Sequence, residues 1–518
     1  MRWMIVALLV VLALPASAHA ETVTTSRAKI DREPGVRLEA WVTKPVRPAA
    51  RPRPLVVLVG SWNGQSWLDL LAARRLAGRG YVVVTYATRG APGSGGYNSM
   101  AGPEDLADSS AVIDWALAKT GADPARVGVG GASYGAGLAL LTAEHDPRVR
   151  SVVALSGWGD LAASLYPGET RNAGIARIMR DTGNNEGSTD FRFNERWRML
   201  LNGTDIPGFL ALMPARSPIT RVADLNDRGT AVYLANTWNE TAFPPDQIID
   251  FYEHLTGPRR LELRPGEHIS AETPARFGVE NEVWSGVMRW FDRTLASGDP
   301  SQGGSGIWLR PRSSGTMHAA ETYADWSQVG PGRTTFQLGA GTLGDTPADR
   351  AWRMQVNPGR DPALQVGIPI VSHFAESYAL SPPWTSLKLI SRTSNGVFTS
   401  PPLTAPLLVR GRPRLKVTLT PSASKATIIV HLLDVARDGR AYQVLHEPHT
   451  WRGVTPGAPI TVDMPLRSTA YDMPPGHRLV VAISTWDLLY YLDTNPRGAP
   501  LTFSGGQQAP ATLEVPTR

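Results

Sequence analysis

Val127-Gly128-Val129-Gly130-Gly131-Ala132-Ser133-Tyr134-Gly135-Ala136-Gly137-Leu138-Ala139-Leu140-Leu141 is the stretch whose reading decides the fold. Val127 to Gly130 reads as a short buried strand, and Ala136 to Glu144 as a helix. Between them lies a G-x-S-x-G pattern, Gly131 to Gly135. A serine on so sharp a strand-to-helix turn is strained and needs tiny neighbours, which Gly131, Ala132, Gly135 and Gly137 supply. The turn would lift the Ser133 hydroxyl above a sheet, at the positive end of the following helix. Ser133 is therefore the expected nucleophile. The alternative, a plain Gly-rich turn, fits the order of the surrounding elements less well.

That order extends in both directions. Leu55 to Val59 and Tyr81 to Tyr86 are β-branched and aliphatic runs, the mark of strands buried on both faces. Leu68 to Ala77 and Asp105 to Ala118 have helical spacing, and Val149 to Leu155 is a further strand. Strands alternating with helices mean a parallel sheet with crossover connections. From Leu161 to about Leu225 no buried strand occurs, and helix-like pieces such as Asn172 to Arg180 and Asn194 to Asn202 suggest a cap inserted over the sheet. The rhythm resumes with a strand at Thr230 to Ala235, a helix at Asp246 to Leu255, a strand at Arg260 to Leu263 and a helix near Val283 to Leu295.

Ser297 to Ser305 is rich in Gly, Ser and Pro and reads as a domain boundary. Beyond it, short alternating segments such as Leu415 to Leu419, Thr427 to Leu433 and Arg478 to Ser484 indicate an all-β sandwich or jelly roll. The expected organisation is an α/β region over 21–160 and 226–298, a mainly helical cap over 161–225, and a β-rich domain over 299–518.

A neutral serine needs a histidine base, held in turn by a carboxylate. His145 lies too far down the helix after Ser133, about 18 Å along its axis. His268, in Gly266-Glu267-His268 after the Arg260 to Leu263 strand, falls at the sheet's carboxyl end and is the expected base. The acid belongs between the two in sequence, after a strand. Glu240, in Asn236-Thr237-Trp238-Asn239-Glu240, meets that condition. Asp246 is its rival, although Pro244-Pro245-Asp246 reads as a helix start, where a carboxylate is favoured anyway.

A tetrahedral intermediate also needs donors aimed at its oxyanion. The backbone N–H of Tyr134 is one candidate. The second belongs to Gly60-Ser61-Trp62-Asn63-Gly64, with Ser61 and Trp62 both open. Trp62, Trp158 and Trp238 follow strands at the active end of the sheet; they line a substrate pocket or pack in the core.

The first twenty residues stand apart. Arg2, the apolar run Val6 to Leu14 and Ala18-His19-Ala20 before Glu21 have the form of a cleaved export signal, too short for a spanning helix of about 20 residues. The product is expected in the periplasm or outside the cell, with no stable membrane insertion. The chain has no cysteine, which excludes disulfides and thiolate chemistry. Its net charge of +6 is scattered rather than gathered in basic runs, so no nucleic-acid partner is expected.

Together these residues resemble the X-prolyl dipeptidyl peptidases and cocaine-esterase-like acyl hydrolases. The resemblance rests on Gly-Ala-Ser-Tyr-Gly at 131–135, Trp-Asn-Glu at 238–240 before Pro244-Pro245, and Gly266-Glu267-His268. It extends to Arg216-Ser217-Pro218, Trp290-Phe291-Asp292, Lys416 to Pro421, Leu432 to Val435 before Asp438-Gly439-Arg440, and Pro475 to Leu479. It implies an α/β-hydrolase domain, a C-terminal jelly roll, and serine hydrolysis of acyl esters or amides without a cofactor. Two departures stand out: Glu240 occupies a position where the family usually has Asp, and Ser61-Trp62 stands where a tyrosine often completes the oxyanion hole. Release of X-Pro dipeptides would also need carboxylates for the substrate's ammonium, and Asp160 and Glu169 are the nominees. From another class, the chain could be a binding protein on a hydrolase scaffold.

Overall fold

The computed structural model describes residues 21–184, 191–315, 317–348, 350–365, 367–378 and 381–518. The leader expected over residues 1–20 lies outside them. An antiparallel hairpin, β1 (Val23–Glu33) and β2 (Val36–Pro45), leads into β3 (Pro54–Val59), α1 (Leu70–Gly78), β4 (Val82–Tyr86) and α2 (Pro103–Thr120). Then come β5 (Asp123–Ala132), α3 (Tyr134–His145) and β6 (Val149–Leu155). Side chains alternate across a strand, and β3 shows the result. Leu55, Val57 and Val59 enter one core while Val56 and Leu58 enter the core on the opposite face. A strand so placed carries no polar face, which is why it reads as a continuous apolar run.

The segment after β6 is helical, as expected: α4 (Leu161–Leu165), α5 (Ala173–Asn184), α6 (Phe191–Leu201), α7 (Ile206–Ala211) and α8 (Val222–Arg228). The α/β rhythm returns with β7 (Ala231–Thr237), α9 (Pro245–His254), β8 (Arg259–Arg264), α10 (Thr273–Arg276) and α11 (Glu282–Phe291).

At Ser297 to Ser305 the structure departs from the sequence reading. The stretch leads from the end of the helix after β8, through a 3-10 turn at Pro300–Gly303, into a further strand of the same sheet, and is not a linker between domains. β9 (Ser305–Leu309) pairs parallel with β8, and β10 (Glu321–Tyr323) closes the edge antiparallel to β9. The ten strands run β1-β2-β4-β3-β5-β6-β7-β8-β9-β10. Strands β3 to β9 are mutually parallel, and only the edges are antiparallel. With helices on both faces this is the α/β-hydrolase arrangement.

The remaining residues form a β-sandwich of a nine-stranded and a five-stranded sheet. Its core pairs Leu415, Val417 and Leu419 of one sheet with Ile428, Val430 and Leu432 of the other. Ile429, on the opposite face of the same strand as Val430, belongs to the hydrolase core instead. The sandwich is thus packed against the α/β region. Among the described residues no helix is long and apolar enough to cross a membrane.

Candidate active site

Ser133 sits between β5 and α3 with φ 58° and ψ −122°, a conformation that a non-glycine residue holds only under constraint. The constraint is local. A side chain on Gly135 would run into the carbonyl of Val59, and one on Gly137 into the Trp158 ring. The Ser133 N–H is tied to Leu155 O at 2.8 Å. As the first residue of α3, Tyr134 has no carbonyl four residues back within the helix to take its N–H. That is the condition an oxyanion donor must meet.

His268 follows β8, and its Nε2 lies 2.8 Å from Ser133 Oγ. Its Nδ1 is 3.0 Å from each carboxylate oxygen of Glu240. A proton on Nδ1 facing the carboxylate leaves Nε2 as the acceptor for the serine hydroxyl. Glu240 is fully buried, and its Oε1 also accepts from the backbone N–H of Ala242 at 2.9 Å and Phe243 at 3.3 Å. The Phe243 ring stands edge-on to the imidazole at 5.5 Å. The three residues are thus one hydrogen-bonded chain, 107 and 28 positions apart in sequence. Asp246, the rival acid, is engaged elsewhere: it accepts from Ser468 N and Oγ at the start of α9. His145 bonds Leu141 O and Arg221 and takes no part.

Two further carboxyls crowd the imidazole, and neither was singled out from the sequence. Glu267 Oε1 accepts from His268 N, Thr241 N and Thr241 Oγ1 at 2.9–3.0 Å. Glu272 Oε1 accepts from Ser156 Oγ at 2.8 Å. Burial, and then the Glu240 charge, hold the Glu267 carboxyl well above the usual carboxylate range. Burial alone would lower the His268 pKa. Glu240, Glu267 and Glu272 outweigh it, and the imidazole is raised above its ordinary value. Glu267 adjoins the base in sequence, but its burial is not written there.

On the opposite side of the serine, loop 60–64 carries the second oxyanion candidate. The Ser61 hydroxyl donates to Ala132 O at 3.1 Å and accepts from Arg276 at 2.7 Å, so its proton is not free for an oxyanion. The Trp62 indole N–H donates to Thr182 Oγ1 at 3.1 Å in α5. Gly60 and Gly64 spend their N–H groups on Tyr86 O and Ser61 O. The side chains of Ser61 and Trp62 are therefore excluded, which leaves their backbone N–H groups.

The tryptophans divide. Trp158 and Trp238 are core residues, 1% and 2% exposed, and the structure corrects their reading as pocket walls. Their indoles bond Arg216 O and Arg310 O at 2.7 and 2.8 Å, and Trp158 packs on Phe243. Trp62 keeps an exposed surface and joins Tyr134, Phe193 and Trp197 in an aromatic cluster with centroids 5.1–6.4 Å away. Asp160 caps α4, accepting from Ala162 N and Ala163 N, and Glu169 is exposed. Among the described residues no group of three or more His, Asp or Glu side chains is placed to hold a metal ion.

Residues 34–186 match the family model described as X-Pro dipeptidyl-peptidase (S15 family), and residues 290–513 match that of the X-Pro dipeptidyl-peptidase C-terminal non-catalytic domain. No curated protein matches the chain. Among solved structures, an aminopeptidase from a marine sediment archaeon, Thaumarchaeota archaeon, is 16% identical with a TM-score of 0.72, covering 98% of each chain. A CocE/NonD family hydrolase from Staphylococcus aureus is 12% identical with a TM-score of 0.70, over 96% of this chain and 94% of that one. An α-amino acid ester hydrolase is 15% identical with a TM-score of 0.69, over 98% of both. At these identities the likeness is one of fold.

Proposed function

We propose that this chain, whose residues 34–186 match the model of the X-Pro dipeptidyl-peptidase (S15 family) and whose residues 290–513 match that of the X-Pro dipeptidyl-peptidase C-terminal non-catalytic domain, is an exported serine hydrolase that cleaves acyl esters or amides through Ser133, His268 and Glu240. The observation that carries the reading is the continuous hydrogen-bonded chain from Ser133 Oγ through the imidazole to Glu240. In the reaction His268 takes the serine proton as Oγ attacks the acyl carbon. The imidazolium is stabilised by Glu240, and the oxyanion forms opposite the Tyr134 N–H. His268 then protonates the leaving alcohol or amine, and water releases the acyl group from Ser133 by the same steps.

The acyl hydrolase reading is preferred to dipeptide release, because Asp160 is engaged as the cap of α4 and Glu169 is exposed.

A fluorophosphonate probe tests the chemistry. Label is expected on the wild type and lost in Ser133→Ala. A folded wild type that takes no label would leave the binding-protein alternative standing. Turnover of phenyl esters against Ala-Pro anilides separates esterase from exopeptidase; a strong preference for the anilides would reverse the proposed order. Export is tested by fractionating the producing cell and sequencing the mature N-terminus, expected at Glu21.

A further inference from the structure

The loop that carries Glu240 is gripped from the C-terminal part of the chain. On one side of Glu240, Asn239 Nδ2 donates to Glu376 Oε1 at 3.3 Å. On the other, the Thr241 hydroxyl accepts from Ile370 N at 3.1 Å and donates to Glu267 Oε1 at 3.0 Å. Glu376 is itself anchored. It receives Arg312 Nε and Nη2 at 2.7 and 3.0 Å and the His373 imidazole at 2.5 Å. Arg312 is buried between the two parts of the chain, donating to Gln443 O and Val444 O in the sandwich. Burial would raise the Glu376 carboxyl, but Arg312 and His373 hold it down at about 2, so it stays a charged acceptor. Farther out, Arg467 Nη1 lies 3.5 Å from Glu240 O, and Ser468 holds Asp246.

We propose that Asn239 and Thr241 are positioning residues through which residues 370–376 of the C-terminal domain set the Glu240 carboxylate against His268. The α/β region alone would then hold the Glu240 carboxylate through Ala242 N and Phe243 N but leave the residues on either side of it without these clamps. The inference rests on the triad reading. It goes beyond it by giving the C-terminal domain a part in catalysis rather than only a part in covering the site. Both neighbours of Glu240 are fastened by the same short segment, and a turn clamped on either side of one residue has little freedom to rotate the side chain between the clamps.

The test uses the full-length chain with a phenyl ester as probe, comparing wild type, Asn239→Ala, Thr241→Val and Thr241→Ser. Asn239→Ala and Thr241→Val are expected to lower kcat by about ten- to a hundredfold with KM within about twofold, as displacement of a catalytic group by up to about 1 Å does. Thr241→Ser keeps the hydroxyl and is expected to recover most of the loss. The acid limb of kcat/KM is expected to move to lower pH in both damaged variants. His268 is faced by Glu240, Glu267 and Glu272, and Glu240 is the partner being loosened. Melting temperatures are measured alongside. If kcat and the pH profile stay at wild-type values while only Tm falls, the contacts are a structural brace and the inference fails. Turnover that persists in Ser133→Ala would instead overturn the triad reading, whatever the other variants do.

Discussion

His268 Nδ1 stands 3.0 Å from both carboxylate oxygens of Glu240, while two backbone N–H groups fix the same carboxylate from behind. The acid is thus a fixed acceptor for one tautomer of the base. Glu240→Gln presents an amide that can offer its donor to Nδ1 and turn the imidazole into the wrong tautomer. A loss of about 10³- to 10⁴-fold in kcat is expected. Glu240→Asp keeps the charge but shortens the reach, with an expected loss of about ten- to a hundredfold. Equal activity in the two variants would remove Glu240 from the mechanism.

The pH profile follows from the carboxyls around the imidazole. His268 must be neutral to accept the serine proton, and its pKa is raised above the ordinary 6.5 because Glu240, Glu267 and Glu272 outweigh burial. The acid limb of kcat/KM should therefore titrate above 6.5. Glu272→Gln removes one of the raising charges and should move the limb down. A limb at or below 6.5 in the wild type would contradict this account.

Glu267 ties stability to pH. Its folded pKa is raised, so the fold favours the neutral carboxyl. Its contribution to stability is complete below the ordinary carboxylate pKa and is lost as pH rises through the raised value. Glu267→Gln keeps the acceptor for Thr241 and His268 N–H but cannot ionise. Melting curves across pH should show a smaller loss of Tm on the alkaline side for this variant than for the wild type. Parallel curves would mean that Glu267 does not take up the proton on folding.

The turn under Ser133 leaves no room for added side chains. Gly135→Ala drives a methyl group into the Val59 carbonyl, and Gly137→Ala drives one into the buried Trp158 ring. Each should cost about 1–3 kcal/mol of stability, the usual range for overpacking. Denaturant midpoints measure it, and the label on Ser133 should weaken in step. Wild-type midpoints in both would show that the turn has room to relax.

Much of this was legible along the chain. The strand–Ser133–helix pattern, the helical insertion after β6 and the change to short strands all rest on local periodicity and turn residues, which a sequence displays directly. The order Ser133, Glu240, His268 was legible too, because the ends of consecutive parallel strands must gather at one edge of the sheet. What was not legible depends on contacts between distant segments. Ser297 to Ser305 has a linker's composition, and only pairing with β8 reveals that the next strand extends the same sheet. Trp158 and Trp238 follow strands just as Trp62 does, yet what packs over them places two in the core and leaves one partly exposed. Sequence alone placed Ser133 on a strand-to-helix turn, nominated His268 and Glu240 as its partners, and indicated the kind of layered fold that brings them together. Only the tertiary structure decided that Asp246 is a helix-start carboxylate bonded to Ser468, that Glu267 and Glu272 press on the base, and that residues 370–376 hold the neighbours of Glu240. Hydrogen-bond partners and desolvation are properties of where the chain returns in space, and local pattern does not encode that return.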